Sequence, residues 1–420
     1  MRRFGLGILT SLLIVIVVST YPGRPVPLAS FGINGAGASI TATAMPTATV
    51  PQHKAQALFP IGVFEDGNII GGNATKFEAM LKDLKAHGID TVLFVNNTAR
   101  RDEPLLTVAD KYAFNIFMMP NGDLNDTWWA DDIPADIITA RGLAKPIVAL
   151  WSKHSSFKGY LIRDEPSLGE RQKVALMTQA FREADPTRPV LMTLIGLNRV
   201  GPIFAAAKPD VMQIDVYPIA ADNPSCDFTM NGFGYPQHDF VSYTRAATAT
   251  KPSGTPLWMI LQTHGFDVSG AALRTPLPTE VRMQQWLALG EGATGIYWFV
   301  YSTQQSWIGL ADNKPLYNEV SALARRVGPL RNILLGLHRI DTRFTVTGNN
   351  APYVSTLTDA SGSNSYAVVV NKDCQKAQNL VIQSSIAGGH LRDLESGTIY
   401  ALGQPIAFQP GDGRIFAMSK

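Results

Sequence analysis

Residues 158–166 read KGYLIRDEP. The first part, KGYLIR (158–163), is a run of strand length that is apolar between Lys158 and Arg163, and its acids arrive only at the C-terminal end, where Asp164 and Glu165 follow Arg163 before Pro166. Proline is not tolerated inside a central strand, so the strand stops there. Ser167 and Glu170 then have the spacing of a capping box, and Val174, Met177 and Phe181 fall on one helical face. The stretch is therefore a buried strand that turns over a cluster of acids into an amphipathic helix.

The same unit recurs along the chain. Short apolar runs lie at 60–65 (PIGVFE), 91–96 (TVLFVN), 115–120 (NIFMMP), 189–195 (PVLMTLI), 211–217 (VMQIDVY), 257–263 (LWMILQT) and 294–301 (TGIYWFVY). Helical patterns separate them. One places Phe77, Met80, Leu81 and Leu84 together and stops at Gly88, and the last carries Val320, Leu323, Val327 and Leu330. Near-continuous apolar strands alternating with helices imply a parallel sheet covered on both faces. Eight units in about 280 residues fit an α/β fold, a (β/α)8 TIM barrel spanning 57–336. A doubly wound sheet also alternates, but GVFEDGNIIGG after the first run lacks the glycine-rich phosphate turn of that fold. From 337 to 420 the texture changes to RFTV, YVSTLT, SYAVVVN, NLVIQ and RIFAM between Gly, Asn, Asp and Ser turns, which reads as a small all-β sandwich.

The 420 residues carry 36 Lys+Arg against 34 Asp+Glu. So near-neutral a balance, without a long basic run, argues against nucleic acid as a partner. With 45% hydrophobic and 17% charged residues, wholesale disorder is excluded. Two cysteines, Cys226 and Cys374, are too few for a disulfide scaffold or a Cys-rich zinc site, and spacing does not decide whether they pair. Arg2 and Arg3 precede an apolar run over 4–18. This reads as a signal peptide (1–30), with an uncleaved membrane anchor as the alternative. Residues 31–56, rich in Ala, Thr, Gly and Pro, read as a flexible linker. The expected location is secreted or extracytoplasmic, with or without a membrane tether.

In a TIM barrel the active site lies at the C-terminal ends of the strands. Those ends offer Glu65 and Asp66; Asn96 and Asn97; Asn121, Asp123, Trp128 and Trp129; Asp164 and Glu165; Asp215 and Tyr217; Gln262 and His264; and Trp298, Tyr301 and Trp307. Carboxylates and amides suit sugar hydroxyls, and aromatic rings suit pyranose faces, so the expected partner is a carbohydrate. Each candidate also has a plainer reading. Asp164 and Glu165 could cap the next helix. Asp215 could satisfy a neighbouring strand end. Glu65 and Asp66 could be loop acids, and Trp128 and Trp129 could pack a loop. Trp151, Trp258 and Trp286 sit in apolar runs and read as core. A metal centre on Asp164, Asp215 and His264 has no H-x-H or H-E-x-x-H spacing behind it, and no metal or other cofactor is expected.

GYLIRDEP, together with ALGEGATGIYWFVY (288–301), resembles the superfamily of (β/α)8 glycoside hydrolases that includes β-galactosidases and cellulases. The resemblance implies that Glu165 is the general acid/base and that Asp164 stands where the family has asparagine. It also implies that Trp298 floors the sugar subsite and that Tyr217 orients the second carboxylate. SYAVVVN, LRDLESG and PGDGRIFAM resemble the β-domain that often follows such barrels. One departure stands out: WMILQTHG (258–265) offers Gln262 and His264 where the family has its nucleophilic Glu. An amide cannot attack an anomeric carbon. Three readings therefore stay open: Glu65 or Asp215 supplies the second carboxylate of a glycosidase; Asp164-Glu165 acts like the Asp-Glu pair of N-acetylhexosaminidases, where the substrate's acetamide attacks; or the barrel binds glycans without cutting them.

Overall fold

The computed structural model describes residues 58–121, 133–232, 235–268, 271–304, 306–340, 343–385 and 388–419. The expected leader, the linker and the Trp128-Trp129 loop lie outside them.

Eight parallel strands close into a barrel, each hydrogen-bonded to its sequence neighbour and the last to the first. They are β1 (Ile61–Asp66), β2 (Thr91–Val95), β3 (Asn115–Met118), β4 (Phe157–Asp164), β5 (Val190–Leu194), β6 (Met212–Val216), β7 (Leu257–Gln262) and β8 (Gly295–Phe299). The period-2 pleat sorts their side chains into two apolar layers. Val63, Phe94, Ile162 and Trp298 face outward into a cluster shared with the helices. Phe64, Leu93, Phe117, Leu161, Trp258 and Tyr297 fill the lumen. The helix Ala74–Ala86 buries Phe77, Met80, Leu81 and Leu84, the stripe its spacing predicts.

The C-terminal region is a sandwich of two antiparallel sheets. Strands β9 (Leu337–Ile340), β11 (Tyr353–Asp359), β12 (Ser365–Val370), β14 (His390–Asp393), β15 (Ile399–Ala401) and β17 (Gly413–Ser419) form one sheet. β10 (Phe344–Thr347), β13 (Gln378–Ser384) and β16 (Pro405–Phe408) form the other. Phe344, Val369, Leu380, Ile382, Phe408 and Phe416 pack between them.

The outer face of the larger sheet does not form a separate core. Leu357, Val368, Val370 and Ile415 belong to the same cluster as the barrel helices. The contact runs along the helix Pro278–Gly290. There the Trp286 ring lies under Gly413, where a Cβ would come within 2.3 Å of it, and the Arg326 guanidinium sits 4.8 Å from the ring. Only a residue without a side chain allows this approach. Arg326 continues to Asp412 at 2.8 Å and Glu395 at 2.7 Å. Cys226, in the connection after β6, is disulfide-bonded to Cys374 in the sandwich, which answers the question the spacing left open.

Candidate active site

The site is built around an irregularity in β4. The register against β5 slips between Leu161 and Asp164, so that Asp164 pairs with Thr193. The slip sends Arg163 outward to Glu170, at 2.9 Å. Glu170 in turn accepts the Ser167 N–H at 2.7 Å, closing the capping box. Asp164 is thereby turned into the lumen row. The next residue, Glu165, stands in left-handed backbone with φ 45° and is held there by its N–H on the Thr193 carbonyl at 3.1 Å. A non-glycine residue in that region costs on the order of 1–2 kcal/mol, a strain that concentrates at functional sites.

Below the acids runs a polar chain. Gln213 Nε2 donates to Thr193 Oγ1 at 3.0 Å, which leaves the Thr193 hydroxyl to donate to Asp164. Asp215 is two residues beyond Gln213 on the same face of β6, and its carboxyl meets Glu165, with Tyr217 as a further hydrogen-bond partner. Three carboxyls thus converge, and they cannot all ionise. Burial, reinforced by Glu165, pushes Asp164 up to about 7. Burial, then Glu165 and Asp164, holds Asp215 well above the carboxylate range. Burial also raises Glu165, against the pull of Asp215 and the Arg199 cation. Asp164 and Glu165 are half-buried, so solvent and ligands reach them. Asp164 Oδ1 and Asp215 Oδ1 are buried without a partner among the described residues. Such atoms are costly unless something else completes them.

Beside the acids, joined to Asp215 through Tyr217, is an aromatic box. The His264 ring lies 4.7 Å from Phe299, 5.1 Å from Tyr217, 5.2 Å from Phe266 in near-parallel stacking, and 6.2 Å from Trp307. Its Nδ1 faces the Phe299 carbonyl at 3.2 Å, so Nδ1 carries the proton and Nε2 is bare, without a partner. Burial lowers its pKa to about 3, which keeps the ring neutral.

Four expectations are corrected. Trp298 is fully buried in the helix-facing layer, not at the mouth; the lumen-facing aromatic at the end of β8 is its neighbour Phe299, whose ring lies 5.3 Å from Trp307. Tyr301 likewise faces the helices, where its hydroxyl donates to Asp83 Oδ2 at 2.9 Å. Glu65 shares the outward face of Val63; it is buried, and burial, against hydrogen bonding with Ser302, pushes it up to about 8. Gln262 is wholly occupied by backbone. Its Oε1 accepts from Ile219 N at 2.9 Å, and its Nε2 faces the carbonyls of Ile219, His264 and Arg274 at 3.0–3.1 Å.

On β1 it is Asp66 that takes the lumen position. It accepts from Asn68 N, Asn96 Nδ2 and Gln304 Nε2 at 2.8–2.9 Å. Asn96 accepts from Asn121 and donates to Asp66, so it supports Asp66. Trp128 lies outside the described residues. Sequence reasoning missed Phe299, Phe266 and Arg199. Strict alternation from Tyr297 would have found Phe299; nothing local marked the other two.

No protein-family model matches this chain, and no curated protein matches its sequence. Solved structures do match. One described as a glycoside hydrolase superposes with TM-score 0.60 at 12% identity, covering 86% of this chain and 92% of its own. A family 5 glycoside hydrolase from Bacteroides vulgatus gives 0.56 at 10% identity, covering 85% and 89%. A maltogenic α-amylase from Thermotoga neapolitana gives 0.51 at 12%, covering 85% and 98%. The chain has the fold of the (β/α)8 glycoside hydrolases. The likeness covers the barrel and sandwich together, and at these identities it speaks for architecture alone.

Proposed function

We propose that this chain is an exported glycoside hydrolase in which Glu165 is the general acid. The observation that carries the proposal is the convergence of half-buried Asp164 and Glu165 with buried Asp215 at the C-terminal end of the barrel, joined through Tyr217 to an aromatic box. A general acid has to be protonated at the working pH, and burial beside other carboxyls is how proteins achieve this. Glu165 protonates the leaving glycosidic oxygen. Asp215 shares the proton with Glu165 before substrate arrives and takes up hydrogen bonding to it afterwards. Tyr217, Phe299 and Trp307 offer ring faces to the sugar.

The attacking group is not on β7, since Gln262 is an amide spent on backbone. Asp215 does not fit as a retaining nucleophile. Retaining pairs stand about 5–5.5 Å apart with the anomeric carbon between them, whereas Asp215 touches Glu165. Attack therefore falls to water or to a group on the substrate itself. The adjacent Asp164, with an unpartnered oxygen, supports the second route, in which it steadies a substrate acetamide. Export is supported by the charged and apolar N-terminal run and by the Cys226–Cys374 disulfide, because such bonds persist in oxidising compartments.

Turnover of paired N-acetylated and plain nitrophenyl glycosides by the wild type and Asp164→Asn tests the reading. Hydrolysis of the N-acetylated member alone, abolished in Asp164→Asn, supports substrate assistance. Hydrolysis of the plain member that survives in Asp164→Asn supports attack by water. Retention of glycans on an affinity column with no turnover makes the barrel a binder and overturns the enzyme reading.

A further inference from the structure

Arg199 is the exception among the arginines. Every other described arginine that is buried or half-buried places its side chain on an acid, a carbonyl or, for Arg343, the Ser365 hydroxyl, as Arg163 does on Glu170 and Arg274 on Glu280. Arg199 is half-buried and its guanidinium makes no hydrogen bond or ion pair among the described residues. It lies in the first turn of the helix Leu197–Ala207 that follows β5, between the two strands that carry the acids, and its charge is felt by Glu165. Helix stability does not explain it. A cation in the first turn opposes the helix dipole, and no acid in that turn compensates. A partly desolvated, unpaired guanidinium is costly unless a ligand completes it. Its planar fork matches a carboxylate bidentately.

The reading as a glycoside hydrolase supplies the ligand class, and this inference rests on it. We propose that Arg199 is a specificity-determining residue that receives the carboxylate of a uronic acid unit in the glycan held at Glu165. The nearby acids do not bar an anion, because burial favours their protonated forms. An O-sulfated sugar shares the anionic chemistry, but it presents a tetrahedral group to a planar fork.

The test uses the full chain as wild type, Arg199→Gln and Arg199→Lys, with matched nitrophenyl substrates in both anomers: glucuronide against glucoside, galacturonide against galactoside, and glucoside 6-sulfate. The quantity read is the ratio of kcat/KM for the acidic over the neutral member. The wild type is expected to favour a uronide by at least about tenfold, and Arg199→Gln to lower that ratio by roughly 10–100-fold, the range of a charge-assisted hydrogen-bonded pair. Arg199→Lys should keep part of it. An unchanged ratio in Arg199→Gln overturns the proposal, as does a wild type without preference for the acid. Preference for the sulfate over both uronides keeps an anion subsite but overturns the uronate assignment. If none of these glycosides, which lack an acetamide, is cleaved, the N-acetylated pair above decides the enzyme reading, and calorimetry with free glucuronate and galacturonate decides Arg199 by itself. Binding by the wild type that Arg199→Gln loses upholds the subsite; no binding by the wild type removes it.

Discussion

Two glutamates on the same barrel show how far a single residue's meaning depends on which way it points. Glu65 and Glu165 both end apolar strands, and the sequence ranks both as catalytic candidates. Glu165 follows a bulge that turns its neighbour into the lumen, while Glu65 keeps the outward face of Val63 and is sealed behind β1. A sealed carboxyl has a consequence for stability. Its folded-state pKa, about 8, lies above its ordinary 4.5, so the folded chain binds this proton more tightly than the unfolded chain does. The favourable contribution is complete below about pH 4.5 and is lost as pH rises through about 8. Asp164, up to about 7, adds to the same slope. Wild-type Tm is therefore expected to fall between pH 5 and 9. Glu65→Gln, which keeps a neutral group there, should flatten that fall and be the more stable protein at pH 9. A slope identical in the two proteins would show that Glu65 ionises freely.

At the scale of the element, the alternation of strands and helices was legible because burial on both faces leaves a compositional trace. The all-β texture after residue 336 was legible for the same reason. What did not show was any feature that depends on register. The bulge in β4 carries no sequence mark; it exists because Arg163 gains Glu170 outside and Asp164 gains Thr193 inside. Trp298 and Phe299 are both aromatic, so composition could not tell which one faces the lumen, and a one-residue difference moves a ring to the opposite side of the sheet. Gln262 was conspicuous in the sequence only as a missing nucleophile, whereas in the structure it ties the connection after β6 to the one after β7. This gives a sharp expectation for Gln262→Glu. The new carboxylate would face, in a fully buried place, three carbonyl oxygens that now surround Nε2. The variant should lose about 3 kcal/mol or more of stability, and it should gain no activity. A Gln262→Glu enzyme with wild-type Tm, or with faster hydrolysis of aryl glycosides, would restore β7 as the place of the nucleophile.

Barrel and sandwich are one cooperative structure in this account, because barrel helices and the larger sheet share a single apolar cluster. The disulfide closes a loop of 148 residues between them. Replacing both cysteines by serine should cost about 2–4 kcal/mol yet leave one unfolding transition in calorimetry. Two separated transitions would mean that the disulfide, not the shared core, joins the sandwich to the barrel. In the proposed mechanism, function at this scale depends on three carboxyls brought together from β4 and β6, and on Glu165 holding a proton that the leaving oxygen needs. Glu165→Gln keeps the shape and removes that proton. General acid catalysis typically contributes 10²–10⁴-fold, so kcat on a glycoside with a poor leaving group should fall by about that factor. It should fall much less on a dinitrophenyl glycoside, whose departure needs little protonation. That comparison, made on whichever sugar the wild type hydrolyses, is the most direct measurement of the central claim. A large loss confined to the poor leaving group is the predicted result, and a Glu165→Gln enzyme that matches wild type on both substrates would contradict it.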